Sequence, residues 1–368
     1  MSLTPDEIYR YSKHLKLDNI GIAGQLKLKD ARVLCIGAGG LGSSVLLHLA
    51  AAGIGSIGIV DDDVVELSNL QRQILYQHSH LGMKKSIIAK QQLSALNPYI
   101  HINEYNEKFN LTNARELISQ YDIIADCTDN FTTRYLINDV CYHLNKPYVF
   151  ASIYQFEGQC SLFLGKESPC FRCLYPMIPT AEIAPDCSDA GVLSVLPGLF
   201  GVIQATEIIK WILKLDNSLA GHLLSIDLLK MQFRTFFLSQ NPECLLCVLQ
   251  QPLESLRQVK TCHHKLLISV NELEQKLKSN DNMILLDVRS IEEHEAYHLG
   301  GLLIPLPELP HRLTELNPDK LIIVYCQSGK RSMQVVKLLK QANFNCLSLE
   351  GGVLEWRRKI FNVNCDGT

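Results

Sequence analysis

Two cysteine pairs, Cys170-Phe171-Arg172-Cys173 and Cys244-Leu245-Leu246-Cys247, restrict the fold of this chain more than any other feature. A Cys-x-x-Cys turn presents two sulfurs on one side, and two such turns complete the tetrahedral ligand set of a zinc ion. If Cys170, Cys173, Cys244 and Cys247 share one ion, two segments far apart in the chain must meet. Four protein ligands leave no position open for substrate, so the expected role is structural. A redox pair is the alternative for either motif taken singly. Thirteen cysteines would suit a disulfide-stapled secreted protein, but Met1 is followed by polar residues and no apolar leader. The expectation is therefore a metal site in a reducing compartment, and a cytoplasmic protein.

A chain of 368 residues accommodates two cores. The charged content of 20% and formal net charge of −3 give no reason to expect a nucleic-acid partner. Residues 33–60 contain no charge and are long enough to span a bilayer, but seven glycines interrupt them and both ends read as strands. Strand, turn, helix and strand explain the segment, and no membrane association is expected. Thr4-Pro5-Asp6-Glu7 is a capping box with proline at the first helical position, predicting a helix through Tyr11 towards Leu15. Residues 32–36, 56–60, 121–126 and 148–152 read as buried strands alternating with helices, one of them over 41–52. Beyond residue 153, shorter strands (159–164, 222–227) flank an apolar helix near 199–213. The expectation is an α/β protein with a doubly wound, Rossmann-like mixed sheet and zinc clip over residues 1–249. A polar linker spans 250–265, where Cys262-His263-His264 lacks a full ligand set, and a smaller α/β domain spans 266–368.

Gly37-Ala38-Gly39-Gly40-Leu41-Gly42 fits G-x-G-x-x-G between a strand and a helix, a backbone cradle for phosphate at a helix N-terminus. Asp61, ending the second strand, is placed for ribose hydroxyls. Alone, these features predict a dinucleotide oxidoreductase as readily as anything else. Asn69-Leu70-Gln71-Arg72-Gln73, with Lys84 and Lys85 following, adds cations suited to a triphosphate. Asp126-Cys127-Thr128-Asp129-Asn130 ends a later strand at the edge where such sheets bind ligands, and Asp129 suits Mg²⁺.

In that order, these motifs resemble the adenylating enzymes of the molybdopterin-synthase and thiamin sulfur-carrier pathways, relatives of ubiquitin-activating enzymes. Glu157-Gly158-Gln159 and the two cysteine pairs extend the resemblance over residues 1–248. The resemblance implies ATP bound by Gly39, Asp61, Asn69, Arg72, Gln73 and Lys85, with Mg²⁺ on Asp129. It implies a homodimer in which a basic residue of the N-terminal helix reaches the partner's ATP; the position is usually arginine and is Lys13 here. The implied reaction is acyl-adenylation of the C-terminal Gly-Gly of a small ubiquitin-like sulfur carrier. Cys187, in the polar loop Ala184-Pro185-Asp186-Cys187-Ser188-Asp189, corresponds to a cysteine that partners the carrier covalently in related enzymes. Its flanking carboxylates alone would describe an unreactive surface thiol.

Cys326-Gln327-Ser328-Gly329-Lys330-Arg331-Ser332 follows a strand over 321–325 and precedes a helix over 333–341, so backbone N–H groups and Arg331 surround one sulfur with positive potential. With Leu286-Asp287-Val288-Arg289, His298-Leu299-Gly300-Gly301 and Glu350-Gly351-Gly352, this loop makes residues 266–368 resemble a rhodanese domain. Four residues separate Cys326 from Arg331, as in sulfurtransferases; related phosphatase loops carry five. The combined expectation is an adenylyltransferase that receives sulfur on Cys326 from a persulfide donor such as a cysteine desulfurase and passes it to the carrier. A non-catalytic carrier-binding adaptor and an NAD-dependent oxidoreductase are the alternatives.

Overall fold

The computed structural model describes residues 2–176, 191–253, 266–278, 283–318, 320–342 and 344–363. It divides into two units, Met1–Thr261 and Cys262–Thr368.

In the first unit, Thr4 caps helix α1 (Pro5–Arg10) with both bonds of the capping box formed. The helix ends at Arg10 rather than continuing to Leu15. Tyr11 turns inward instead, accepting a 2.9 Å hydrogen bond on its hydroxyl from Asn97, and its ring fills the space beside Gly53. Helix α2 (Gly21–Asp30) then leads into strand β1 (Arg32–Ile36), helix α3 (Gly40–Ala52) and strand β2 (Ser56–Val60). Next come α4 (Lys85–Leu96), β3 (His101–Tyr105), α5 (Ala114–Ser119), β4 (Ile123–Asp126), α6 (Phe131–Leu144), β5 (Tyr148–Tyr154), β6 (Glu157–Phe163) and the short α7 (Phe171–Leu174). Helix α8 (Leu196–Leu213), β7 (His222–Asp227) and β8 (Gln232–Phe237) complete the unit.

The strand order is β3-β2-β1-β4-β5-β6-β7-β8. The first five are parallel and the last three pairings antiparallel. Alternation along β1 divides the core: Val33 and Cys35 join Ile57, Ile123 and Val149 on the face that includes α3 and α8 residues. Leu34 and Ile36 join Ile124, Tyr148 and Phe150 on the face with α5 and α6 residues. Helix α8 is long and apolar enough to cross a membrane by length and composition alone, but half of that window is buried in the fold.

In the second unit, the described elements are β9 (Leu267–Ile268), α9 (Val270–Lys278), β10 (Met283–Asp287), α10 (Ile291–Ala296), β11 (Leu302–Leu303), β12 (Leu321–Tyr325), α11 (Lys330–Gln341), β13 (Cys346–Leu349) and α12 (Gly352–Val363). All pairings in the β11-β10-β12-β13-β9 sheet are parallel. Cys326 thus follows the central strand. The expected linker lies largely outside the described residues, as do Cys262-His263-His264 and Cys365.

Candidate nucleotide, metal and sulfur sites

The turn after β1 is held by backbone contacts that leave no room for side chains. Gly37 has φ +92°, and a Cβ on it would stand 2.8 Å from the Cys127 carbonyl oxygen. A Cβ on Gly42 would stand 2.1 Å from the Gly37 carbonyl oxygen. Beneath the turn, the buried Tyr76 hydroxyl donates to the Ala38 carbonyl at 2.7 Å. The turn and the start of α3 therefore aim unpaired N–H groups and a positive helix end into a cavity of about 350 Å³.

Gly37, Gly39, Gly40, Asp61, Arg72, Gln73, Lys85 and Asp129 all line this cavity. Asp61 accepts from the N–H of Ala38 (2.8 Å) and of Asp63 (2.9 Å). Burial raises its pKa, against the lowering effects of the Ala38 N–H and of Lys85. Lys85 sits at the N-terminus of α4, where a cation opposes the helix dipole, and Asp63 holds its ammonium at 2.9 Å. Arg72 anchors one guanidinium nitrogen on the Ser68 carbonyl at 3.0 Å. Gln73 is buried and its Oε1 has no partner, so an acceptor waits at the cavity wall. Asp129 is exposed at the rim.

Three predicted residues do not line the cavity. Gly42 supports the turn through the close approach described above. Asn69 is buried, its Oδ1 accepting from the Glu66 N–H at 3.1 Å, which shapes the segment presenting Arg72. Lys13 is exposed beyond α1.

Sequence reasoning missed Arg134. It lines the cavity, lies within 5.5 Å of the Phe131 and Phe150 ring centres, donates to the Thr128 carbonyl at 2.9 Å, and leaves its buried Nε without a partner. The available signal was its spacing, one helical turn after the Asn130 cap. Asp126 is fully buried and its pKa is raised by that burial, against the lowering influence of Arg134. Gln204 of α8 donates to the carbonyls of Asp126 (2.8 Å) and Val149 (3.1 Å), tying that helix to the strand ends under the cavity.

The two Cys-x-x-Cys motifs do meet. All four sulfurs lie within 4.8 Å of one another, with separations of 3.9 Å (Cys170–Cys173), 3.5 Å (Cys170–Cys244) and 3.3 Å (Cys173–Cys247). Tetrahedral zinc with ~2.3 Å bonds requires sulfurs ~3.8 Å apart, so the set fits that ion. The sulfur of Cys173, followed by those of Cys244 and Cys247, pushes the Cys170 thiol up; a divalent cation would relieve this crowding. Arg172, between two of the ligands, donates to both oxygens of buried Asp139 at 2.8 and 2.7 Å.

In the second unit Cys326 is only 1% exposed, deeper than a sulfur simply emerging from a strand end. The Ser332 hydroxyl lies 3.5 Å from its sulfur. Arg331 also approaches that sulfur, but both its terminal nitrogens are held by Glu293 at 2.6 Å. The Arg331 guanidinium holds the Glu293 carboxyl down at about 2. Its charge is thus partly compensated and its direction fixed. Arg289 is buried on Asp287 (2.9 and 2.7 Å) and turns its remaining nitrogen to Gln327 of the loop. Cys187 lies outside the described residues.

The ThiF family model matches residues 11–246, and the rhodanese-like domain model matches residues 269–359. A probable molybdopterin-synthase adenylyltransferase of Porphyra purpurea is 41% identical, over 97% of this chain and 94% of its own. The probable adenylyltransferase/sulfurtransferase MoeZ of Mycobacterium tuberculosis is 38% identical over 98% and 95%. Among solved structures, E. coli MccB with ATP matches 65% of this chain and 73% of its own, with TM-score 0.56 and 24% identity, a likeness of fold.

Proposed function

Since this chain belongs to the ThiF family and carries a rhodanese-like domain C-terminal to it, we propose that it activates a ubiquitin-like sulfur-carrier protein with ATP and supplies sulfur from Cys326. The observation that carries this reading is the cavity itself. Phosphate-seeking N–H groups, Arg72, Lys85 and a rim carboxylate, Asp129, converge at one glycine turn. A nicotinamide site has no use for that cation set.

In this reading ATP lies along the turn with its ribose on Asp61. Arg72, Gln73 and Lys85 contact the phosphates, and Asp129 takes part in holding Mg²⁺. The carrier's C-terminal carboxylate attacks the α-phosphorus, and pyrophosphate leaves. The chain contributes position and preorganised charge rather than a covalent step. The terminal sulfur of a Cys326 persulfide then attacks the acyl carbon and AMP leaves, giving an acyl disulfide on Cys326. A second thiol, for which Cys187 is the candidate, attacks the Cys326 sulfur and expels the carrier thiocarboxylate. The protein disulfide left behind is reduced by an external thiol. Zinc is held by Cys170, Cys173, Cys244 and Cys247 as a structural clip.

A homodimer with Lys13 acting in the partner's cavity is part of the same proposal. Its support is that Lys13 is exposed, does not line its own chain's cavity, and follows a helix exposing Ile8 and Tyr9. A persulfide donor such as a cysteine desulfurase and a cytoplasmic location complete the reading.

The test is ATP–pyrophosphate exchange by the zinc-loaded protein with each Gly-Gly carrier of the same organism. One carrier should support exchange, and Cys326→Ala should retain it while losing thiocarboxylate formation from persulfide. Absence of exchange with every carrier, or thiocarboxylation surviving Cys326→Ala, would overturn the reading.

A further inference from the structure

A buried hydroxyl on β13 has no role in the chemistry so far. Along this strand Cys346 faces an apolar cluster containing Val324, Val335 and Val336. Two residues on, Ser348 places a hydroxyl on the same side of the strand, paired in register with Val324 and fully buried. A buried hydroxyl is unfavourable unless hydrogen-bonded. The Ser332 hydroxyl lies 2.8 Å from it, and Ser332 is the residue whose Oγ stands 3.5 Å from the Cys326 sulfur.

We propose that Ser348 is a positioning residue for sulfur transfer at Cys326, donating its hydrogen bond to Ser332 and so committing the Ser332 proton to the cysteine side. The neighbours of Ser332 favour that direction. Ser332 has one proton and two acceptors within reach apart from Ser348: the Gly329 carbonyl at 3.0 Å and the Cys326 sulfur at 3.5 Å. Were Ser332 to donate to Ser348, its proton would be lost to the Cys326 sulfur, whereas the Gly329 carbonyl keeps the Met333 N–H at 3.1 Å in either case. With Ser348 as donor, all three oxygens are served. The Ser332 proton then rests on Gly329 when the sulfur is neutral. It swings to the sulfur when the sulfur carries charge, because charge-assisted bonds are the stronger ones. Donation from Ser348 also polarises the Ser332 hydroxyl and strengthens what it gives.

Other charged groups around the sulfur are fixed from different elements. Arg331 on α11 is paired with Glu293 on α10, Lys330 is exposed, and Arg289 reaches only as far as Gln327. The two-serine chain differs from these in carrying a proton that can turn from the Gly329 carbonyl to the sulfur. The proposal rests on the sulfurtransferase reading of the loop.

The test follows Cys326 alkylation by iodoacetamide in the full-length protein, quantified on the Cys326 peptide by mass spectrometry. The quantity read is the ratio of the rate near neutrality to the rate at the alkaline plateau. Ser348→Ala should lower this ratio about threefold, the scale of one net hydrogen bond. In a Ser332→Ala background the same change should lower it no further. If Ser348→Ala fails to fold, the isosteric pair Ser348→Thr and Ser348→Val serves instead, and only the valine variant should lower the ratio. An unchanged ratio, an equal fall in the Ser332→Ala background, or a parallel fall of both rates would overturn the proposal. Sulfur transfer from thiosulfate to cyanide by the unaltered protein reports separately on the sulfurtransferase reading, which can fail while the ratio still holds.

Discussion

Replacing Arg172 by methionine should destabilise the first unit by about 3 kcal/mol, the lower end of the usual cost of stranding one member of a buried ion pair. The lower end applies because Asp139 would lose two charge-assisted bonds, at 2.8 and 2.7 Å, but keep a 2.9 Å bond from the Asn138 amide. The contact of the guanidinium with the Tyr135 ring, 4.7 Å to its centre, would go as well. For a unit of this size the loss corresponds to a fall of about 6–12 °C in the unfolding midpoint. Calorimetry on the full-length protein, read on the transition of the first unit, measures it. Zinc release to a chelator should accelerate in parallel, since Arg172 lies between two ligand positions. Adding Asp139→Leu should recover most of the loss, because a matched apolar pair does not leave a charge in the interior. A single variant within about 1 kcal/mol of the parent, or a double variant no better than the single, would refute the reasoning.

Two further outcomes follow from contacts described above. Gly42→Ala sets a Cβ 2.1 Å from a backbone oxygen. Shifting the turn to relieve this overlap, at about 1–3 kcal/mol, should weaken ATP–pyrophosphate exchange about 5- to 150-fold, with sulfur transfer by the second unit unchanged; undiminished exchange would sink the idea. Glu293 has its folded-state pKa lowered from 4.5 to about 2, chiefly by Arg331. Its contribution to stability is therefore present above the ordinary carboxylate range and lost as pH falls towards that lower value. Acid unfolding of Glu293→Gln should lack this limb of the pH dependence, and superimposable curves would contradict the assignment.

What the sequence disclosed follows its physics. Strands β1 and β2 lie where short apolar runs beside glycines place them, and α1 starts at its capping box. Strand β8 was missed because all six of its residues are exposed, so neither alternation nor an apolar run marks it. Strand β3, His101-Ile102-Asn103-Glu104-Tyr105, buries only Ile102 and leaves three residues half-buried, so no alternation marks it. The glycine turn and its cations were legible because phosphate binding demands particular residue types in local order. Arg134 was not, because its place depends on Phe131 and on Phe150 from another strand. Glu293 shows a third cause. Ser290 and Glu293 form a capping box, and that local role conceals the second use of the carboxylate as the clamp on Arg331.

The four-sulfur cluster has a consequence for the chain as a polymer. If one ion holds Cys173 and Cys244, it converts the intervening segment, which carries α8, β7 and β8, into a ring. Closing a ring of that length removes conformational freedom from the unfolded chain worth about 4 kcal/mol on the model used for disulfides. Coordination achieves this without oxidised sulfur, which matters for a protein whose chemistry depends on keeping one thiol ready to carry sulfur. Removing the ion would open the ring with every covalent bond intact, and the unfolded chain would regain the conformational freedom that the ring withheld.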